Sequence, residues 1–297
     1  MNNEVVILVN PATGKHKSRK QVPELYAALH RLGLRARVVV TASSAHMTAC
    51  AAAAAGSRAV VIVGGDGTWH SAIQGLANTE TPLALLPVGT GNDNARAMGI
   101  AGQSPMSLAL RVATAEPQPI TLARAQLAGG VQRWFSSVLA CGFDSAVNER
   151  ANTIRRPGGT LRYLAALGIE LKQYAPIAYR VRVDGVEWSG DALLASVGNT
   201  AYYGGGMMVC PHANPTESTL AVTIVEYVSL PRFVSSFPSL YTGGHIKKPY
   251  VQALTGSSIH IEAIGTSVFA DGEPMGHTPV QIDAHPSALR VYADLAP

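Results

Sequence analysis

Four short apolar runs, each followed by a loop of small or amide residues and then a helix-forming stretch, set the architecture of the first third of this chain. Val5–Val9 is continuous and β-branched, as in a strand buried on both faces, and Asn10-Pro11 ends it. Between Ser18 and Leu32 the residues Val22, Leu25, Tyr26, Leu29 and Leu32 recur at helical spacing until Gly33 stops them. Arg35–Val40, Ala59–Val63 and Leu83–Leu86 read as the next three strands. Helices are predicted from Ser43 or Ser44 to Ala55, from about Trp69 to Leu76, and over Pro105–Ala115. This alternation predicts a parallel sheet covered by helices.

After Glu116-Pro117-Gln118-Pro119 the pattern becomes one of many short strands. Candidates are Ile120–Leu127, Gln132–Leu139, Ala178–Val183, Leu193–Val197, Leu220–Val225, Ser258–Glu262, Ser267–Ala270, Val280–Asp283 and Leu289–Tyr292. Gly129-Gly130 and Asp184-Gly185 are hairpin turns. Helical stretches interrupt at roughly Thr160–Tyr174 and Leu230–Tyr241. The fold class is therefore α/β plus β: an α/β domain over residues 1–118, and a β-rich, mostly antiparallel domain over 119–297, a sandwich or partly open barrel.

Composition excludes other classes. At 47% hydrophobic and 14% charged, with a net charge of +4, the chain is far from the disordered range. Its longest apolar runs, such as Ala51–Ala55 and Ala59–Val63, fall well short of the ~18–20 residues of a membrane span. Met1-Asn2-Asn3-Glu4 lacks the basic start of a signal peptide. Cys50, Cys141 and Cys210 are odd in number and far apart, as in a reducing compartment. A cytoplasmic location is expected.

The chemistry concentrates in the loops. Gly64-Gly65-Asp66-Gly67-Thr68 lies between a strand and a helix. Three glycines let the backbone turn sharply and approach a ligand, and the amides of the following helix favour an anion. That is the geometry of a phosphate cradle, and a tight turn alone needs fewer glycines. A carboxylate beside phosphates repels them unless a cation intervenes, so Asp66 implies Mg²⁺ or a role polarising an attacking hydroxyl. Pro87-Val88-Gly89-Thr90-Gly91-Asn92-Asp93-Asn94-Ala95-Arg96, Asn10-Pro11-Ala12-Thr13-Gly14-Lys15 and Thr41 also follow strands. All four belong at the carboxyl edge of the sheet, where parallel sheets bind ligands.

In order and spacing, these segments, with Gly204-Gly205-Gly206-Met207 and Ala270-Asp271-Gly272-Glu273-Pro274, resemble the diacylglycerol kinase catalytic-domain family, especially its soluble bacterial lipid kinases. Sphingosine and ceramide kinases belong to the same wider group, and NAD kinases and phosphofructokinases are more distant. The resemblance implies a nucleotide-binding first domain, a lipid-binding second domain, a catalytic cleft between them, and an extreme carboxyl terminus that packs back on the first domain. It assigns ATP contacts to Asn10, Pro11, Ala12, Thr13, Gly14, Thr41, Gly64, Gly65, Asp66, Gly67, Thr68, Gly89, Thr90, Asn92 and Asp93, with Asp66 organising Mg²⁺. Catalysis falls to Asp66, Asp271 and Glu273, and Glu273 is favoured as the base that takes the proton of the lipid hydroxyl. Asp271-Gly272 also fits an ordinary hairpin turn. A second cation loop is implied at Asn214, Glu217 and Thr219.

The chain departs from the family pattern at His70 and Ser71, where relatives carry Asn-Glu, at Asn94 for an aromatic, at Thr121 for Asp, and at Glu217-Ser218 for Asp-Gly. His70 is read as a solvated helix residue. The expected activity is ATP- and Mg²⁺-dependent phosphorylation of diacylglycerol; rivals are a kinase for another lipid, a sphingoid base or NAD, and a binding protein that has lost catalysis. Lys15, His16, Lys17, Arg19 and Lys20 cluster beside the first loop, and Arg155-Arg156 and Lys247-Lys248 are further pairs. The first cluster suits an anionic membrane surface, so peripheral membrane association is expected. No aromatic–basic interleaving points to nucleic acid. A homodimer is compatible with the resemblance, though no segment marks an interface.

Overall fold

The computed structural model describes residues 3–13, 15–154 and 160–295. Gly14 and Arg155-Arg156-Pro157-Gly158-Gly159 lie outside the described residues, as do the side chains of Lys15 and His16. The chain forms two compact units, Met1–Leu122 with Pro286–Pro297, and Ala123–His285.

In the first unit the order is β1 (Glu4–Val9), α1 (Lys15–Arg31), β2 (Arg35–Val40), α2 (Ser44–Ala53), β3 (Ala59–Gly64), α3 (Asp66–Leu76), β4 (Leu83–Pro87), α4 (Asp93–Ala97) and α5 (Pro105–Thr114). The strands are parallel in the order β2-β1-β3-β4. β3 is buried along its whole length, and β1 everywhere except partly at Glu4, as their unbroken apolar runs require; β2 is the edge, and Val40 is 60% exposed. The core joins Val5, Ile7, Val61 and Leu86 to Leu25 and Leu29 of α1 and Leu108 and Val112 of α5. Ser43 caps α2 by accepting from the His46 amide, and Ser104 and Ser107 form a capping box ahead of Pro105 on α5. α3 begins at Asp66, three residues before the predicted start, so Asp66, Gly67 and Thr68 form its first turn. An acidic residue there is favoured by the helix dipole.

The second unit contains the second half of β5 (Gln118–Leu127), then β6 (Gln132–Phe135), β7 (Val138–Gly142), α6 (Phe143–Thr153), α7 (Thr160–Glu170), β8 (Ile177–Val183), β9 (Val186–Gly198), the small pair β10 (Tyr202–Tyr203) and β11 (Met207–Met208), and β12 (Leu220–Glu226). After these come α8 (Leu230–Leu240), β13 (Val251–Gly256), β14 (Ser258–Glu262), β15 (Ser267–Ala270), β16 (Glu273–His277) and β17 (Val280–Val291). Pairing within this unit is antiparallel. β9 is its spine: the first half pairs with β8, and the second half lies between β7 and β12. Asp184 (φ 47°) and Gly185 (φ 86°) both take left-handed backbone in the β8–β9 turn, as a two-residue hairpin demands.

Two expectations change here. The predicted strand Gln132–Leu139 breaks at Ser136-Ser137, because those two amides donate to the Asp271 carboxylate instead of to a neighbouring strand. Val280–Asp283 and Leu289–Tyr292 prove to be parts of one strand, β17, despite the polar stretch between them. The end of β17 re-enters the first unit, where Val291 pairs with Leu83 in parallel and the Tyr292 amide donates to the Leu83 carbonyl. Helices α4 and α6 and strands β10, β11, β13 and β16 have no counterpart among the predicted elements.

Candidate functional site

Register brings four strand ends of the first unit to one edge, since Val9 aligns with both Val40 and Val63, and Gly64 with Pro87. Asn10 ties two loops together. Its Oδ1 accepts from the Ala12 amide at 3.0 Å, and its Nδ2 donates to Thr68 Oγ1 at 3.3 Å. Pro11 and Ala12 are exposed beyond it, with Thr13 half-buried. Thr41 is buried and donates its hydroxyl to the Val9 carbonyl, so it holds the edge of the site. The glycines at 65 and 89 are required sterically: a Cβ on Gly89 would sit 2.8 Å from the Gly65 Cα and 2.8 Å from Asn92 Oδ1. Two backbones thus approach with nothing between them, and Thr90 stands exposed at the rim.

Asp66 joins the two glycine loops. Its Oδ1 accepts from the Asn94 amide at 3.0 Å and from Asn94 Nδ2 at 3.1 Å, and its Oδ2 accepts from the Asp93 amide at 3.2 Å. The carboxylate therefore caps α4 from another element. Asn92, left-handed at φ 53°, starts that helix and donates to the Gly89 carbonyl, while Asp93 pairs with Arg96 at 2.6 Å. Asp66 stays half-exposed, and its Oδ2 keeps a lone pair beyond the one hydrogen bond. That fits a Mg²⁺ held by a single carboxylate together with water and nucleotide phosphate. A cage built wholly from protein does not fit: among the described residues no group of three or more His, Cys, Asp or Glu comes together. His70 is 8% exposed, not solvated, and Ser71 donates to the Gly67 carbonyl, so both are absorbed into the packing of α3.

In the second unit the Asp271-Gly272 turn joins β15 to β16 and sends its two carboxylates in different directions. Asp271, at φ 53°, is 9% exposed and receives the Ser137 amide at 2.8 Å and the Ser136 amide at 3.2 Å. Glu273 is exposed at the start of β16. Asn214 Oδ1 accepts from the Thr216 amide and hydroxyl, so that loop closes on itself; Glu217 is exposed and Thr219 half-buried.

The same unit encloses an apolar cavity of about 300 Å³. Phe143, Leu194, Val225, Phe233, Phe237 and Tyr250 build much of its wall, and Gly204 and Met207 of the triple-glycine segment line it as well. A larger cavity of about 560 Å³ has a mixed polar and apolar lining that includes the Arg150–Glu170 ion pair, which suits an acyl chain poorly.

Residues 4–125 match the diacylglycerol kinase catalytic domain, and residues 137–293 match the YegS C-terminal NAD kinase beta sandwich-like domain. A protein of Mycobacterium tuberculosis named diacylglycerol kinase is 37% identical over 97% of this chain and 94% of its own length. The chain belongs to the diacylglycerol kinase family. A Pseudomonas aeruginosa member named "Probable lipid kinase YegS-like" is 31% identical over 98% of this chain and 95% of its own. The solved structure of a diacylglycerol kinase from Bacillus anthracis shares the fold, with TM-score 0.74 and 22% identity over 98% of this chain and 97% of that one. The family makes the chain a kinase, a phosphoryl transferase.

This kinase holds one functional candidate that its sequence did not advertise. Asp144, 3% exposed in the first turn of α6, lines the apolar cavity. Ser196 Oγ donates to its Oδ2 and the Ser145 amide to its Oδ1, both at 2.9 Å. Burial pushes the carboxyl up to about 7, against the lowering effect of those hydrogen bonds. His245, also on the cavity wall, is pushed down by burial. The signal for Asp144 was a carboxylate directly after a buried apolar strand, which reads just as readily as a helix cap.

Proposed function

We propose that the protein is an ATP- and Mg²⁺-dependent lipid kinase, peripherally membrane-associated, that phosphorylates the hydroxyl of diacylglycerol to give phosphatidic acid and ADP. The observation that carries the lipid reading over NAD is the apolar cavity of about 300 Å³ lined by Gly204 and Met207. The name of the M. tuberculosis relative supports diacylglycerol over a sphingoid base.

The chemistry needs little covalent help from the protein. The lipid oxygen bonds to the γ-phosphorus while the bond from that phosphorus to the bridging oxygen breaks, leaving ADP. Backbone amides around Gly65 and Gly89 bind the phosphates, since neither residue carries a side chain to hold a ligand off the backbone. Bound Mg²⁺ supplies charge neutralisation, and Asp66 is the residue to hold it. Glu273 accepts the proton of the attacking hydroxyl; Asp271 keeps its hairpin in place.

The test is γ-labelled ATP with a panel of diacylglycerol, ceramide, sphingosine and NAD, followed by organic extraction. Label should enter the organic phase with diacylglycerol and migrate as phosphatidic acid. Asp66→Asn and Glu273→Gln should each abolish it while leaving the fold intact by circular dichroism. Label retained in water with every lipid overturns the reading, and nucleotide binding without any labelled acceptor favours a binding protein.

A further inference from the structure

Helix α8 is apolar on more of its surface than its packing uses. Phe233, Phe237 and Leu240 turn into the cavity. At 100° per residue, Leu230, Val234, Pro238 and Tyr241 fall within a further arc of about 80° beside them. That second stripe faces solvent: Leu230 is 36% exposed, Val234 42% and Tyr241 56%. Tyr227, 43% exposed, stands just before the helix.

The charge of the segment that carries the stripe is one-sided. From Tyr227 to Ile261 there is no Asp or Glu, although the chain has 19 of them. The same stretch carries Arg232, Lys247 and Lys248, all exposed. Arg232 lies over the Tyr250 ring, 4.8 Å from its centroid, and the two lysines close the turn after α8. Tyr241 belongs both to the exposed surface and to the cavity wall, so stripe and cavity are continuous. Glu226, which accepts from Gln252 Nε2, and Asp191 adjoin the stripe at its Tyr227 end. The α8 stripe itself, with Lys247 and Lys248, is apolar and basic and borders an apolar cavity, and so complements an anionic lipid–water interface.

We infer that the exposed stripe of α8, with Lys247 and Lys248, is the surface by which this protein docks on anionic phospholipid membranes. The inference rests on the reading of the adjoining cavity as a lipid site, and it assigns docking to α8 rather than to the basic cluster at the start of α1, where Lys17, Arg19 and Lys20 are exposed.

The experiment is co-sedimentation of the full chain with phosphatidylglycerol–phosphatidylcholine vesicles and with phosphatidylcholine alone, at low and high salt. Binding should require the anionic lipid and weaken with salt. At about 1 kcal/mol for each basic residue near such a surface, Lys247→Gln with Lys248→Gln should weaken partitioning about 30-fold. Val234→Asp should weaken it at least about 10-fold. Phosphorylation of a short-chain, monodisperse diacylglycerol should stay within about two-fold of wild type in both variants, while phosphorylation of vesicle-embedded substrate falls with binding. Vesicle binding is read without catalysis, so a protein that phosphorylates no lipid yet docks through α8 leaves the docking inference standing. Three results overturn it: vesicle binding unchanged in both variants, binding lost instead on replacing Lys17, Arg19 and Lys20, or a wild-type dimer that Val234→Asp converts to monomer.

Discussion

Replacing Asp144 by Asn should stabilise the protein, and by an amount that depends on pH. The carboxyl is 3% exposed, its ordinary value of 3.8 is raised to about 7, and burial is the main cause. The neighbouring titratable groups are Cys141 on β7, Tyr179 on β8 and Cys210, all pushed upward by burial with a smaller contribution from Asp144 itself; among the described residues no lysine or arginine lines the cavity. Because the folded value exceeds the unfolded one, protonation favours the folded state. The penalty is absent below about pH 3.8, grows as pH rises, and is complete above about pH 7. That rise corresponds to about 4 kcal/mol at pH 8.5 and to about 2 kcal/mol at pH 5. Asn can keep both contacts, accepting from the Ser145 amide and donating to the Ser196 hydroxyl. Urea unfolding of wild type and variant at pH 5, 7 and 8.5 measures the difference. A variant no more stable than wild type at pH 8.5, or a difference that does not change with pH, refutes the argument.

Asp271→Ala removes the acceptor of two buried amides and should cost about 2–5 kcal/mol in urea unfolding, with Asp271→Asn recovering part of it. Gly89→Ala forces a methyl against Gly65; we expect ATP affinity by calorimetry to fall at least about 10-fold, with overpacking lowering stability by about 1–3 kcal/mol. Arg58→Met strips the guanidinium that donates to the Val112 and Ala113 carbonyls at the end of α5, and thermal unfolding should report a loss of about 1–2 kcal/mol.

Much of the first unit was legible because its strands are buried on both faces. Ala59–Val63 and Val5–Val9 have no polar position to confuse their period, and glycine loops mark their ends. The start of α3 was misplaced because Gly67 disfavours helix on propensity, while the amide of Trp69 donating to the Gly65 carbonyl and the acidic first turn favour it. In the second unit β17 was divided because Asp283, His285 and Pro286 look like a turn when only local pattern is visible.

The sequence by itself determined the family, the alternation of elements and the positions of the phosphate-type loops, since these depend on periodicity and on glycine, both local properties. Only the tertiary structure decided what each carboxylate does. Asp66, Asp144, Asp271 and Glu273 are alike as letters, yet one caps a helix beside the glycine loops, one is buried in an apolar wall, one holds two amides and one meets solvent. Their partners are 28, 52, 135 and 134 residues away in the chain for the contacts of Asp66 with Asn94, Asp144 with Ser196, and Asp271 with Ser136 and Ser137. Solvation and hydrogen bonding fix the behaviour of a carboxylate, and at those separations both are set by the fold.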